Sequence, residues 1–205
     1  MRAIDGTIEL RKDEPTMQLF ASSLRISLVL MLLCGVVYNL AATGIAQTLM
    51  PHRASGSLIE EDGRIVGSEL IGQTFTEPRW FHGRLSSIGY AADGSGTPNY
   101  APSNPDLLER ARQSALDWQA ANPDVPLSEV PLDLVTNSGS GLDPDISPQG
   151  ARVQIPRVSA ATGIPQAELE QLVERHTAPR RLGLFGEPTV NVLELNLALR
   201  EAASK

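Results

Sequence analysis

Between Arg25 and the His52-Arg53 pair the chain carries no charged side chain for 25 residues, from Ile26 to Met50. A segment of that kind has few destinations. As a helix it would extend roughly 37 Å at ~1.5 Å per residue, enough to cross a hydrocarbon layer of about 30 Å with some tilt. Eleven of its residues are Leu, Ile or Val, and each favours insertion near a helix centre by roughly 0.3 to 0.6 kcal/mol. Asn39 and the small residues give part of that back. The competing reading is a cleavable secretory signal, because Arg25, the apolar Leu28 to Val37 and the small Ala42-Thr43-Gly44 follow the order of one. The apolar character runs on through Ile45, Leu49 and Met50, beyond the length of an ordinary signal core. A retained transmembrane helix over 26–50 is therefore expected.

The span divides the chain into a tail, 1–25, and a polar region, 51–205. Basic residues near a span orient it, while long domains translocate largely regardless of charge. The tail holds Arg2, Arg11, Lys12 and Arg25, whereas the nearest basic residues after the span are Arg53 and Arg64. This bias predicts a cytoplasmic tail and an exported C-terminal domain. Residues 51–205 hold 13 Lys or Arg against 20 Asp or Glu, so the whole formal charge of −7 sits there. A basic nucleic-acid-binding face is excluded on that balance. About 155 residues are enough to bury one core. The lone cysteine, Cys34, lies inside the span, so no disulfide forms within the chain and the polar domain has no thiol for catalysis or metal binding.

Within the span, Gly35, Asn39, Ala42 and Ala46 recur at intervals of four, three and four, which places them on one helical face. Small residues let helix backbones approach, and an amide can hydrogen-bond across the contact. The same residues are also common in membrane helices that pack against nothing. The packing reading expects Gly35→Leu or Asn39→Leu to weaken association with a membrane partner without affecting insertion.

Strands and helices alternate loosely along the polar domain, predicting a mixed α/β fold behind a single N-terminal transmembrane helix. Leu58-Ile59, Asp62-Gly63 and Arg64-Ile65-Val66 read as a hairpin. Ser86 to Pro105, rich in Gly, Ser, Asn and Pro, reads as a long ordered loop or irregular binding surface. Pro105 opens a helix carrying Leu108, Ala111, Ala115 and Trp118 at helical spacing, closed by Asn122-Pro123, with Trp118 in the core. Val130 to Thr136 suggests a short strand. Ser147-Pro148 caps a short helix that breaks near Pro156. Pro165 to His176 is a helix with Leu169, Leu172 and Val173 inward. Val190-Asn191-Val192 extends a strand, and Leu193 to Arg200 suits a terminal helix.

Catalytic motifs are scarce. The only lysine after the span is Lys205, which excludes a phosphate-binding loop of the Gly-x-x-x-x-Gly-Lys type. No Gly-x-Ser-x-Gly elbow occurs. His52, His82 and His176 belong to no metal-ligand spacing, so no metal site is assigned. Asp143 and Asp145 flank Pro144, a pattern that suits a cation or acid/base pair but more simply a turn. The Ser138 to Gly141 run offers backbone N–H groups to an anion beside the Ser147 helix start, although such runs are commonly mobile loops. Arg79, His82 and Arg84 surround Trp80-Phe81, as a partner surface or a packed corner.

The ordered series Ser57-Leu58-Ile59, Leu70-Ile71-Gly72-Gln73, Phe81-His82-Gly83-Arg84, Pro102-Ser103-Asn104-Pro105, Ser140-Gly141-Leu142-Asp143, Ile146-Ser147-Pro148, Gln154-Ile155-Pro156-Arg157-Val158 and Val190-Asn191-Val192-Leu193-Glu194-Leu195-Asn196 resembles the C subunit of the Kdp-type potassium-transporting ATPase. It departs from the family at Leu85, where proline is usual, and over Gly94 to Tyr100. The resemblance implies a single-span accessory subunit of the cell inner membrane with a periplasmic domain. Its partners would be a channel-like potassium-binding subunit and a P-type ATPase subunit, and the complex would import potassium at the expense of ATP. It also implies a chaperone-like role in promoting ATP binding by the pump subunit, with no catalytic residue and no firmly bound cofactor in this chain. Were the domain to touch nucleotide, the family's glutamine role would fall on Gln149. An exported domain sits uneasily with cytoplasmic ATP, and bracing of the channel-like subunit by the Gly/Asn/Pro-rich loops is the physically simpler expectation. The alternative is an independent membrane-tethered periplasmic enzyme or ligand-binding protein built on Asp143, Asp145 and His82.

Overall fold

The computed structural model describes residues 14–204, so Arg2, Arg11 and Lys12 of the orientation argument lie outside the described residues. The chain divides into two compact units between Ser55 and Gly56. The first is helical: α1 (Glu14–Leu32), a π turn (Leu33–Val37), α2 (Tyr38–Leu49) and the single turn α3 (Pro51–Ala54). Thr16–Leu49 is a continuous run of 34 residues, long and apolar enough to cross a membrane, and none of its most apolar stretch is buried within the protein. Ile26, Met31, Leu40 and Ile45 are all more than half exposed. A helix that is apolar all round finds its solvent in lipid. Asn39 Nδ2 donates to the carbonyls of Cys34 at 3.1 Å and Gly35 at 2.9 Å, supplying hydrogen bonds at the π turn. The amide nitrogen thus serves its own helix.

The second unit opens with the antiparallel hairpin β1 (Leu58–Glu61) and β2 (Arg64–Ser68). Asp62 and Gly63 both take positive φ, at 49° and 73°, the backbone that a two-residue turn of this hand requires. Then follow α4 (Pro105–Ala121), two 3₁₀ turns (Leu127–Glu129 and Leu132–Leu134), β3 (Asp145–Ile146), α5 (Pro148–Arg152), α6 (Ile155–Thr162), α7 (Gln166–Arg175), β4 (Thr177–Ala178), β5 (Thr189–Asn191) and α8 (Val192–Ala203). β5 lies between β3 and β4, antiparallel to both. Phe81, Ile146, Val158, Leu169, Leu172, Val173, Val190, Leu195 and Leu199 form the core, with Trp118 packed against its edge. The fold is the mixed α/β unit behind one long apolar helix that the sequence pattern predicts.

Three local expectations need correction. Val130 to Thr136 is no strand: Pro126 and Pro131 each sit directly before a 3₁₀ turn, and Leu134 is the buried residue of the second. On α4 the inward stripe is Leu107, Ser114, Ala115 and Trp118, while Leu108 is 68% exposed and Ala111 faces water. Trp118, the largest side chain, sets the face, and residues four and eleven before it follow. The Ser138–Gly141 run is not a free connector but is bonded to Ser86 to Pro105, the loop expected to be ordered. Gly96 N donates to Ser140 O and Ser138 N to Leu85 O, both at 2.8 Å, and Ser86 Oγ donates to Gly141 O at 2.6 Å. Bonds that span 44 to 55 residues of sequence thereby lace two irregular stretches into one layer.

Candidate functional site

An open cleft of about 600 Å³ gathers Arg84, Leu132, Asp133, Asp143, Asp145, Ser147, Gln149, Glu187 and Thr189 among its walls. Its floor is the start of α5. Ser147 has extended backbone at the cap and its Oγ accepts from Gly150 N at 2.9 Å. Asp133, on the second 3₁₀ turn, accepts from Ser147 N at 2.6 Å and from Ser147 Oγ at 3.2 Å. A carboxylate therefore closes the helix start. Gln149 lies in the first turn of α5, exposed, its Nε2 donating to Glu129 O at 3.3 Å.

Asp143 is engaged on both oxygens. Oδ2 pairs with Arg84 NH1 at 2.8 Å, and Oδ1 accepts from Asp145 N at 3.1 Å across Pro144. This is the turn that Asp-Pro forms by itself. Burial, with Asp143 adding to it, raises the pKa of Asp145 against the lowering effect of hydrogen bonds to Thr189 and Asn191. Within the Ser138–Gly141 run the N–H groups of Ser138 and Gly141 bond to oxygens of the protein, as do those of Leu142 and Asp143 just beyond it, so two of the run's four N–H groups are committed to the fold. The cleft thus presents Asp133, Asp143, Asp145 and Glu187 against one arginine already paired. Its electrostatic character is acidic.

His82 is held away from the cleft and belongs to a different construction. Its N–H donates to Gln154 Oε1 at 2.8 Å, and Gln154 Nε2 returns to His82 O at 3.0 Å. One residue earlier, Asn196 does the same: Phe81 N donates to Asn196 Oδ1 and Asn196 Nδ2 to Phe81 O, each at 2.9 Å. Two buried amides, one on α8 and one at the start of α6, pin an irregular strand-like segment that has no sheet to join. Arg157 completes the clamp. Its guanidinium donates to Asn122 Oδ1, Trp80 O and Gln154 Oε1 at 2.7 to 2.9 Å, and to Pro78 O. Burial lowers its pKa to about 10. Burial and then the Arg157 charge also push the His82 imidazole below its ordinary value, although a bond to Glu77 O opposes this.

The aromatic and basic cluster around Trp80-Phe81 is accordingly a packed corner. Phe81 is fully buried, and Arg79 lies 4.8 Å over the Trp80 ring. Gln154, Asn196 and Arg157 were not singled out from their residue types. The available signal was polar residues at core-facing helical positions, Asn196 between Leu195 and Leu199 and Gln154 before Ile155. Among the described residues, no group of three His, Cys, Asp or Glu is disposed to hold a metal.

The sequence profile described as KdpC, the c chain of the K+-transporting ATPase, matches residues 20–201. The potassium-transporting ATPase KdpC subunit of Bacillus cereus (strain B4264) is 54% identical over 189 residues, covering 92% of this chain and 98% of that protein. The subunit of the same description from Bacillus anthracis (strain CDC 684 / NRRL 3495) is 57% identical over 179 residues, or 87% of this chain and 93% of that one. The matched stretch takes in most of the apolar helix and the whole clamp around Phe81 and His82, and the chain belongs to the KdpC family, the c chain of the K+-transporting ATPase.

Proposed function

We propose that this chain is a non-catalytic accessory subunit of an ATP-driven potassium uptake complex, fixed in the cell inner membrane by its one helix. The tail faces the cytoplasm and the α/β unit the periplasm. The partners are a channel-like potassium-binding subunit and a P-type ATPase subunit, and the chain stabilises their assembly. One observation carries the reading: the polar groups that could do chemistry are already committed to the fold. Asp143 holds Arg84 and its own turn, Asp133 holds the start of α5, and the His82 imidazole bonds to Glu77 O. His82 and the Asp143-Asp145 pair, which the tethered enzyme or ligand-binding protein would need together, line different cavities.

Promotion of ATP binding by the pump subunit then acts through assembly, because a periplasmic unit does not meet cytoplasmic nucleotide. A direct contact at Gln149 has one supporting feature, an exposed amide on the cleft wall. A triphosphate there would face four carboxylates, so it would need its divalent cation to approach. Gln149→Ala in the assembled complex separates the two: an unchanged ATP dependence of hydrolysis supports action through assembly, and a raised ATP requirement supports contact. The accessory role itself is tested by detergent purification of the full chain. Recovery with the larger membrane subunits supports it, and recovery alone refutes it.

A further inference from the structure

The loop between β4 and β5 closes into a small, fixed tip. Arg181 and Phe185 exchange backbone hydrogen bonds at 2.9 Å in both directions, Leu184 N donates to Arg181 O at 3.1 Å, and Gly183 N to Arg180 O at 3.0 Å. The turn bends through Leu182, Gly183 and Gly186, all at positive φ, of 53°, 72° and 77°. On this tip Leu182, Leu184 and Phe185 are 89%, 76% and 64% exposed. A lone exposed leucine needs no explanation, but three large apolar side chains on one rigid turn do. Leu182 is the sharpest case. Its left-handed backbone suits glycine or asparagine, and its side chain contributes nothing to this unit's own core.

We infer that the Arg180–Glu187 tip is a docking element that seats Leu182, Leu184 and Phe185 in an apolar groove, rimmed by carboxylates, on another protein subunit of the transport complex. The inference rests on the accessory-subunit reading above. Shape chooses a protein over a lipid surface. A backbone fixed by four hydrogen bonds lowers the ordering cost of fitting a shaped groove, whereas lipid asks for no shape. Charge gives the rim: Arg180, already bonded to Glu187 at 2.6 Å, and the exposed Arg181 flank the apolar residues and fit carboxylates opposite. The surface does not stop at the tip, since Glu187, Pro188 and Thr189 line the acidic cleft beside Leu132, itself 75% exposed.

The test uses the full chain expressed with its partner subunits. A photoreactive residue in place of Leu184 should crosslink to a protein subunit. The Leu184→Ser/Phe185→Ser double variant should weaken recovery with the complex by about tenfold or more, as loss of paired hot-spot anchors does. Leu182→Gly keeps the result interpretable, because glycine suits the turn: the thermal midpoint of the chain should hold or rise while recovery falls. Crosslinking to lipid alone, or undiminished recovery of the variants beside a wild-type chain that does bring its partners, overturns the tip and leaves the accessory role standing. A wild-type chain recovered without partners overturns both.

Discussion

At the scale of single residues, the Phe81-His82 clamp is the fold's most exposed dependency. Asn196 is 2% accessible and is the recorded partner of both the Phe81 N–H and its carbonyl. Removing it strands two buried backbone groups, each worth about 1 to 3 kcal/mol when unsatisfied. Asn196→Ala should therefore lower the unfolding free energy by about 2 to 4 kcal/mol, read as a shifted urea midpoint with an unchanged slope. His82 gives the same corner a pH dependence. Its folded-state pKa lies below the ordinary 6.5, so the unfolded chain takes the proton first. Stability is full above about pH 6.5 and is lost as the pH falls toward and through the folded value. Asp145 and Glu194 run the other way: burial raises both, so as the pH falls the folded chain takes these protons before the unfolded one, and the stability gained offsets part of the loss at His82. The thermal midpoint of the wild-type chain should thus fall between about pH 7.5 and 5.5, and His82→Gln should flatten that slope. An equal slope in the variant would assign the dependence elsewhere.

At the scale of elements, helix starts were legible in the sequence because capping is local chemistry. Asn104 before Pro105 and Ser147 before Pro148 each accept a backbone N–H from the first turn, and Asn191, whose pattern reads as strand, does the same before Val192. Ser147→Ala should therefore cost about 1 kcal/mol in thermal stability, or more given its tie to Asp133. The hairpin was legible for the same reason, since Asp62-Gly63 prescribes its own backbone. The two-residue strands β3 and β4 were not, because a period cannot be read over two residues. The candidate site was legible only as separate pieces: Asp143 and Gln149 meet in one cleft, but His82 leaves it for a clamp whose members are 72 and 115 residues away in sequence. Such pairings are set by tertiary packing, and local pattern does not encode them. The π turn was equally hidden. Asn39, read as a bond to a neighbouring helix, donates its amide hydrogens at Leu33–Val37 of its own. Asn39→Leu removes those donors in a medium with no water to replace them. The variant should still insert, yet lose the wide turn and with it recovery with partner subunits. Unchanged recovery would make the turn a local feature only.

At the scale of the whole molecule, the two units differ in what holds them. The second carries its own core, every member of which lies between Phe81 and Leu199, whereas the first has apolar side chains exposed along its length. Their stabilities should therefore be separable. A fragment beginning at Gly56 keeps the core, the clamp and the hairpin, so it should unfold in one cooperative urea transition. In the full chain the helix depends on lipid and should not contribute to that transition. Fragment and detergent-solubilised chain should then share a urea midpoint within experimental error. A markedly lower midpoint for the fragment would show that residues before Gly56 brace the core. The same pair distinguishes the roles of the units in assembly. If the helix only raises the local concentration of a domain that docks by itself, the fragment added in excess to a complex lacking this chain should restore its activity, since tethering supplies effective concentration and no new contact. If the Gly35-Asn39-Ala42-Ala46 face packs against a partner, no amount of fragment should suffice, and a full chain with an unrelated span over 26–50 should fail as well. Rescue by both would leave the helix as an anchor alone; failure of both would make it an interface.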